Sequence, residues 1–275
     1  LPVAVVPVLV GTGAAVGAGI VWWRAAAALV VALAMQVGAN YANDYADGIR
    51  GADGSERVGP ARLVGSGLAT PAEARGAAII AFGIAAVVGL VLSLAVAPWL
   101  LLVGAASIAA GWFYTAGSRP YGYAGLGEVS VFLFFGLVAT VGSAYVHGRS
   151  VTGVALMAGV AVGLLACALL VANNLRDREM DASVGKVTSA VRLGDRRTRL
   201  LYVCLLDGGL VCGSLCVLFR PWAVLILVAG VVAARPVKNV LAGAQGTDLF
   251  GILGATGRVQ WVAGVMLGLG LALSG

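Results

Sequence analysis

Apolar residues fill most of the chain in long runs, and polar residues separate the runs in stretches of two contrasting lengths. A spanning helix needs about 20 mostly apolar residues to cross the hydrocarbon of a bilayer. By that measure nine helices are predicted, near 2–21, 25–43, 76–95, 98–115, 128–147, 151–173, 199–219, 221–235 and 257–274. The eighth is the shortest. The pattern predicts an all-α polytopic membrane protein, a single unit over residues 1–275, with polar cap loops over a central cavity. The first run has no charged leader and no clear cleavage site, so it reads as a membrane helix rather than a signal peptide.

Composition strengthens this reading. The chain is 60% hydrophobic and 11% charged, whereas a soluble domain carries roughly 25% charged residues. A soluble enzyme, a disordered chain, a disulfide scaffold and a coiled coil are all excluded. The 41 glycines have no collagen period and suit close helix contacts in lipid. Cys167, Cys204, Cys212 and Cys216 all lie in apolar runs without His, Asp or Glu neighbours. They read as small packing residues, not as a metal or redox centre.

The connections alternate. Short turns surround Arg24, Pro98, Arg149 and Arg220–Pro221, and long polar loops cover 44–75, 116–127, 174–198 and 236–256. Fifteen of the 18 Lys and Arg fall on the long-loop side, and only Arg24, Arg149 and Arg220 on the other. The positive-inside rule then places the long loops in the cytoplasm, the N-terminus inside and the C-terminus outside. The same rule accounts for the net charge of +6, and no nucleic-acid partner is expected. Ten of the 12 acidic residues also fall in or beside the long loops, the exceptions being Glu128 and Asp207. Glu128 starts the fifth helix, so it too can lie near the cytoplasmic face. The chemistry is expected on that side.

Two acidic constellations stand out. Gln36, Asn40, Asn43, Asp44 and Asp47 lie along one face of a helix that runs out of the second membrane segment, and Asp53 follows in the loop. Asn173, Asn174, Asp177 and Asp181 continue the sixth segment, with Asn174, Asp177 and Asp181 spaced i, i+3, i+7. Carboxylates that face one another repel, and cations remove the repulsion. Mg²⁺ favours a few carboxylates, waters and the oxygens of a substrate phosphate. Asp44, Asp47, Asp177 and Asp181 therefore suggest a Mg²⁺–diphosphate site. Lys186 and Arg192 follow the second constellation and are candidates to hold the anion and stabilise it as a leaving group. Arg62 is placed in the first long loop. Tyr114, Arg119, Tyr121 and Tyr123 are expected on the same face. Arg196, Arg197 and Arg199 are expected to mark the membrane boundary or to meet anionic lipid, and His147 is expected to stand apart on the opposite face.

NDYAD with Asp53, together with NNLRDREMD, resembles the two Asp-rich motifs of the UbiA superfamily of intramembrane prenyltransferases. Within it, NYANDYADGIRGAD, RPYGYAGLGEVSVFLFFG, NNLRDREMDASVGKVTSAVRLG and ARPVKNVLAGAQGTDLFGILGATGR resemble the 1,4-dihydroxy-2-naphthoate polyprenyltransferases of menaquinone synthesis. The first motif departs from many members at Gly51, where they are acidic; Asp53 fits the naphthoate branch better. The resemblance implies that Asp44, Asp47, Asp177 and Asp181, helped by Asn43 and Asn174, hold Mg²⁺, two ions in all, against a polyprenyl diphosphate. Lys186, Arg192, Arg62 and Arg119 would bear on the diphosphate, and Asn40, Tyr114, Tyr123 and Asn173 on the substrates. Loss of pyrophosphate leaves an allylic cation. The naphthoate ring attacks it at the carbon bearing the carboxylate, and carbon dioxide and a proton leave, giving demethylmenaquinone. Sixteen Arg against two Lys, with much Ala, Gly and Val, resembles a high-GC bacterium, so a bacterial cell membrane is expected. Two other readings stand beside this one: prenyl transfer to another acceptor such as 4-hydroxybenzoate or homogentisate, and a cation-coupled transporter. Transporters place ionisable groups near the midplane on broken helices, whereas these aspartates gather at helix ends.

Overall fold

A computed structural model describes residues 2–50, 62–118 and 120–275, and the regular structure among them is entirely helical. The helices are α1 (Pro2–Ala14), α2 (Trp22–Ile49), α3 (Pro71–Val96), α4 (Leu100–Phe113), α5 (Gly127–Gly148), α6 (Gly153–Ser183), α7 (Ser189–Leu218), α8 (Pro221–Leu241) and α9 (Asp248–Leu273). Each expected apolar segment holds a helix among the described residues. Seven are long and apolar enough to cross a membrane, while α1 and α4 are apolar but shorter. Asp53, Arg57 and Arg119 lie outside the described residues.

Local chemistry sets several helix starts. At α3, Thr70 accepts from the Glu73 N–H while Glu73 accepts from the Thr70 N–H, and Pro71 occupies the first turn. The Thr152 and Thr188 hydroxyls cap α6 and α7 by accepting from Ala155 and Val191 N–H. Gly194, at φ 73°, breaks α7 after its first turn, a conformation that favours glycine. Pro221 opens α8 as a 3-10 turn that becomes α-helical at Val228.

Packing relies on small residues, because in lipid the close approach of backbones replaces the hydrophobic drive. The inner face of α6 buries Ala155, Ala158, Ala161, Ala168 and Ala172. The middle of α5, Phe132–Val138, is a π-helix, and Gly136 within it lies so close to α6 that a Cβ would stand 2.5 Å from the Gly163 Cα. On α1, Gly11 meets the Thr140 carbonyl of α5 and Gly13 meets the Gly268 backbone of α9.

The two ends of the bundle differ. The three arginines of the short turns each donate to a carbonyl at the C-terminal end of a helix: Arg24 to Val146 at 2.8 Å, Arg149 to Ala95 at 2.9 Å, and Arg220 to Ser274. They satisfy carbonyls that a helix end leaves unpaired, which gives them a local reason to sit on the sparsely charged side. His147 is also there, buried, with Nδ1 accepting from the Val21 N–H at 3.2 Å. The long loops meet at the other end. Asp207 stands exposed on the outer face of α7.

The α5–α6 approach predicts a specific sensitivity. Gly136→Ala should overpack the contact by about 1–3 kcal/mol and lower the melting temperature in detergent by roughly 5 °C. Gly83→Ala, with open space around it, should not; equal melting temperatures for the two variants would contradict the packing described.

Candidate active site

Both acidic constellations extend their helices, as their spacing requires. α2 continues to Ile49 and α6 to Ser183, carrying the aspartates beyond the apolar segments. Asp44, Asp47 and Asp181 are buried, so each carboxylate needs compensating partners. Asp44 turns toward the loop before α3, where its carboxylate accepts from Leu63 N–H at 3.1 Å and Val64 N–H at 3.5 Å. Asp47 accepts from the Tyr123 hydroxyl at 2.5 Å. Asp177 is gripped by its neighbour Arg176, with nitrogens 2.6 Å from each oxygen, and accepts from Asn173 at 3.3 Å. Asp181 pairs with Lys186 at 3.4 Å through Oδ1, and its buried Oδ2 has no hydrogen-bond partner.

Tyr123 ties the two motifs together. Its hydroxyl bonds Asp47 of α2. Lys186, which pairs with Asp181 of α6, places Nζ 5.3 Å from the centre of its ring. The Arg50 guanidinium lies 5.1 Å from the same ring and donates to the Thr115 and Gly117 carbonyls at 2.6 Å. Two cations against one ring favour its electron-rich face. Burial first, then the adjacent Asp47 carboxylate, push the Tyr123 phenol above the ordinary tyrosine range. It therefore remains a hydrogen-bond donor at physiological pH. The loop is held in place by the Val187 N–H donating to the Tyr123 carbonyl at 2.9 Å and by Arg192 donating to the Ala124 carbonyl at 2.8 Å.

Two cavities meet here. A polar chamber of about 80 Å³ is lined by Asp47, Arg62, Glu128, Asn174 and Lys186, among others. An apolar cavity of about 920 Å³ runs into the bundle past Met35, Leu92, Phe134 and Val146. Asn43, Tyr114, Leu170 and Asn173 line both and form the junction. Gln36 and Asn40 lie on the apolar side, joined by a 3.3 Å hydrogen bond. Such a space can take a molecule with a charged head and a long apolar tail.

Several expectations change in detail. The three tyrosines divide: Tyr123 serves the polar chamber, Tyr121 bonds the Ala110 carbonyl and Ser130 beside the apolar cavity, and Tyr114 stands between. Arg192 braces the loop backbone and does not line the chamber. Arg199 is not a lipid-facing boundary residue: it is buried, paired with Asp195 and bonded to the Val240 and Ala244 carbonyls. The Asn174 amide donates to Glu128 at 3.1 Å, and Thr115 donates to Asn43 at 2.5 Å. Among the described residues no three His, Cys, Asp or Glu side chains gather closely enough to hold an ion unaided. Sequence reasoning missed Arg50, Arg176 and Glu128. The position of Arg176 beside Asp177, inside the second motif, was the available signal for it.

The sequence matches the UbiA prenyltransferase family over residues 4–246. The chain belongs to this family. Its UbiA relatives include the 1,4-dihydroxy-2-naphthoate octaprenyltransferase of Mycobacterium tuberculosis, 51% identical over 95% of this chain and 90% of the relative. The Escherichia coli protein of the same name is 36% identical over 100% and 92%. A UbiA homolog from Archaeoglobus fulgidus, solved bound to GPP and Mg²⁺, shares the fold at a TM-score of 0.69 and 16% identity, covering 99% of this chain and 97% of that one. The protein is a UbiA-type transferase and a multi-pass membrane protein.

The bridge makes Tyr123→Phe informative. The ring stays with its cations while Asp47 loses its donor, and a charge-assisted hydrogen bond contributes about 1.5–3 kcal/mol. Turnover should fall about tenfold or more in protein that still folds, with the melting temperature lowered by roughly 5 °C. Wild-type turnover in this variant would contradict the bridging role.

Proposed function

We propose that this UbiA prenyltransferase moves a polyprenyl group from polyprenyl diphosphate to 1,4-dihydroxy-2-naphthoate, working at the cytoplasmic face of a bacterial cell membrane. The observation that carries the reading is the bridge Asp47–Tyr123–Lys186–Asp181 beside a chamber that opens into a long apolar cavity. It provides a charged seat for a diphosphate and an apolar space for its tail. The names of relatives that align over nearly the whole chain support the naphthoate as acceptor. The excess of Lys and Arg on the long-loop side supports the orientation.

The donor set fits Mg²⁺. All its atoms are hard carboxylate and amide oxygens. Asp181 Oδ2 is buried without a partner, and Asp47 accepts through Oδ1 alone among the described residues. Both oxygens of Asp44 and Oδ1 of Asp177 accept one hydrogen bond each and keep a further lone pair, whereas Asp177 Oδ2 accepts from both Asn173 and Arg176. Asp44, Asp47, Asp177 and Asp181 would hold two ions together with the diphosphate. When bound, Mg²⁺ supplies positive charge against the leaving group.

Of these four aspartates only Asp47 lines the polar chamber itself, and Lys186 and Arg62 add charge there. The bond between the allylic carbon and the diphosphate oxygen breaks, and its electron pair leaves with the diphosphate. The ring carbon bearing the carboxylate bonds to the allylic carbon. The bond to the carboxylate then breaks, its electron pair returns to the ring, and carbon dioxide departs. Electrons balance at the quinol, demethylmenaquinol, and the quinone follows on later oxidation. The apolar lining keeps water from the cation. The remaining superfamily acceptors are arms of the test.

Purified protein with Mg²⁺ and farnesyl diphosphate should prenylate 1,4-dihydroxy-2-naphthoate and not 4-hydroxybenzoate or homogentisate. Chelation of the metal should abolish turnover reversibly, and Asp47→Ala or Asp177→Ala should abolish it in folded protein. Prenylation of 4-hydroxybenzoate alone would overturn the acceptor. Near-normal activity of both variants would overturn the metal assignment.

A further inference from the structure

Glu128 is a carboxylate of the polar chamber that belongs to neither Asp motif. It lies in the first turn of α5, and its Oε1 accepts from the Asn174 amide of α6 at 3.1 Å and from the Ser189 hydroxyl of α7. Both donors are neutral. Among the described residues Glu128, like Asp44 and Asp47, has no ion-pair partner, whereas Asp177 and Asp181 each have one and Asp195 has two. Its hydrogen bonds among those residues all fall on Oε1, which leaves Oε2 as an acceptor available to the chamber. The junction with the apolar cavity is adjacent. Gly127 packs so closely on Tyr114 that a Cβ there would stand 2.8 Å from the phenol oxygen, and Tyr114 lines both cavities.

We propose that Glu128 selects and orients the aromatic acceptor by accepting a hydrogen bond from the ring hydroxyl remote from the acceptor's carboxylate. This rests on the naphthoate reading above. Two forces act together. The charge of Glu128 repels the acceptor's own carboxylate, so that end of the ring turns away. The 1-hydroxyl is next to the carboxylate and is held by it in an internal hydrogen bond. The 4-hydroxyl, across the ring, is the donor that can approach Glu128. The carboxylate-bearing carbon is thereby presented on the side away from Glu128. A site that hydrogen-bonds a substrate hydroxyl also discriminates against an analogue lacking it, because the buried acceptor is then unpaired.

Glu128→Gln tests this in the full-length protein with Mg²⁺ and farnesyl diphosphate. The Asn174 amide is a donor, so it retains the glutamine oxygen and turns the amide nitrogen to the chamber. An acceptor is replaced by a donor of the same shape. The kcat/KM for 1,4-dihydroxy-2-naphthoate should fall about 50-fold or more. The inhibition constant of 1-hydroxy-2-naphthoate, which lacks the 4-hydroxyl, should not rise, because its carboxylate loses only a repulsion, and the KM for farnesyl diphosphate should change less than about threefold. A loss shared equally by both naphthoates, as a merely structural role would give, or no loss for the dihydroxy acceptor, would overturn the proposal. Glu128→Asp keeps the charge one methylene back and decides the question where the glutamine variant does not fold. It should weaken only the dihydroxy acceptor, and a uniform loss would again overturn the proposal. Failure of the wild-type protein to use 1,4-dihydroxy-2-naphthoate would instead overturn the naphthoate reading on which the proposal stands.

Discussion

Carboxylates buried at the end of an apolar bundle must be compensated, and Asp47 and Asp181 are compensated by two partners that touch each other. Tyr123 donates to one, and Lys186 pairs with the other while lying over the Tyr123 ring. An isolated ionised carboxylate in such a place would be costly. The network offsets part of that cost, with Asp181 Oδ2 left unpartnered, and holds the ends of α2 and α6 around one chamber. Arg50 and the Val187 N–H secure Tyr123 from the loop side. The positions of the two motifs thus depend on a residue that belongs to neither.

The remainder of the bundle serves that arrangement. Small residues on α6 and glycines on α1, α5 and α9 bring backbones close where lipid offers no hydrophobic drive. Close packing on one side of α6 contrasts with the 920 Å³ cavity on the other, which suits an isoprenoid tail. At the far end, Arg24, Arg149 and Arg220 close helix ends. Their positions follow from unpaired carbonyls, so they leave the contrast in charge between the two ends intact.

Much of this was legible in the sequence. Each apolar run located one of the helices α1 to α9 among the described residues, because the bilayer imposes length and composition on each. The i, i+3, i+7 spacing placed Asn174, Asp177 and Asp181 on a helical extension that the structure contains. What sequence could not supply was the choice of partner. Arg199 read as one of three boundary arginines, yet it is buried on Asp195, the last turn of α8 and the loop after it. Nothing near Glu128 in the chain announces Asn174 and Ser189, which arrive from helices 46 and 61 residues away. Boundaries slipped where local chemistry overrode hydropathy: α2 runs six residues beyond its apolar segment because its polar face is used, and α8 begins as a 3-10 turn behind Pro221.

The central claim is that the two Asp motifs form one site. It is tested most directly by titrating farnesyl thiodiphosphate, a slowly reacting analogue, into protein with Mg²⁺ and measuring affinity in a double-mutant cycle of Asp47→Asn and Asp181→Asn. Groups that hold one ligand together are strongly coupled. The account predicts that each single variant loses most of the affinity and the double variant loses little more. Losses that simply add would show two independent groups and contradict it.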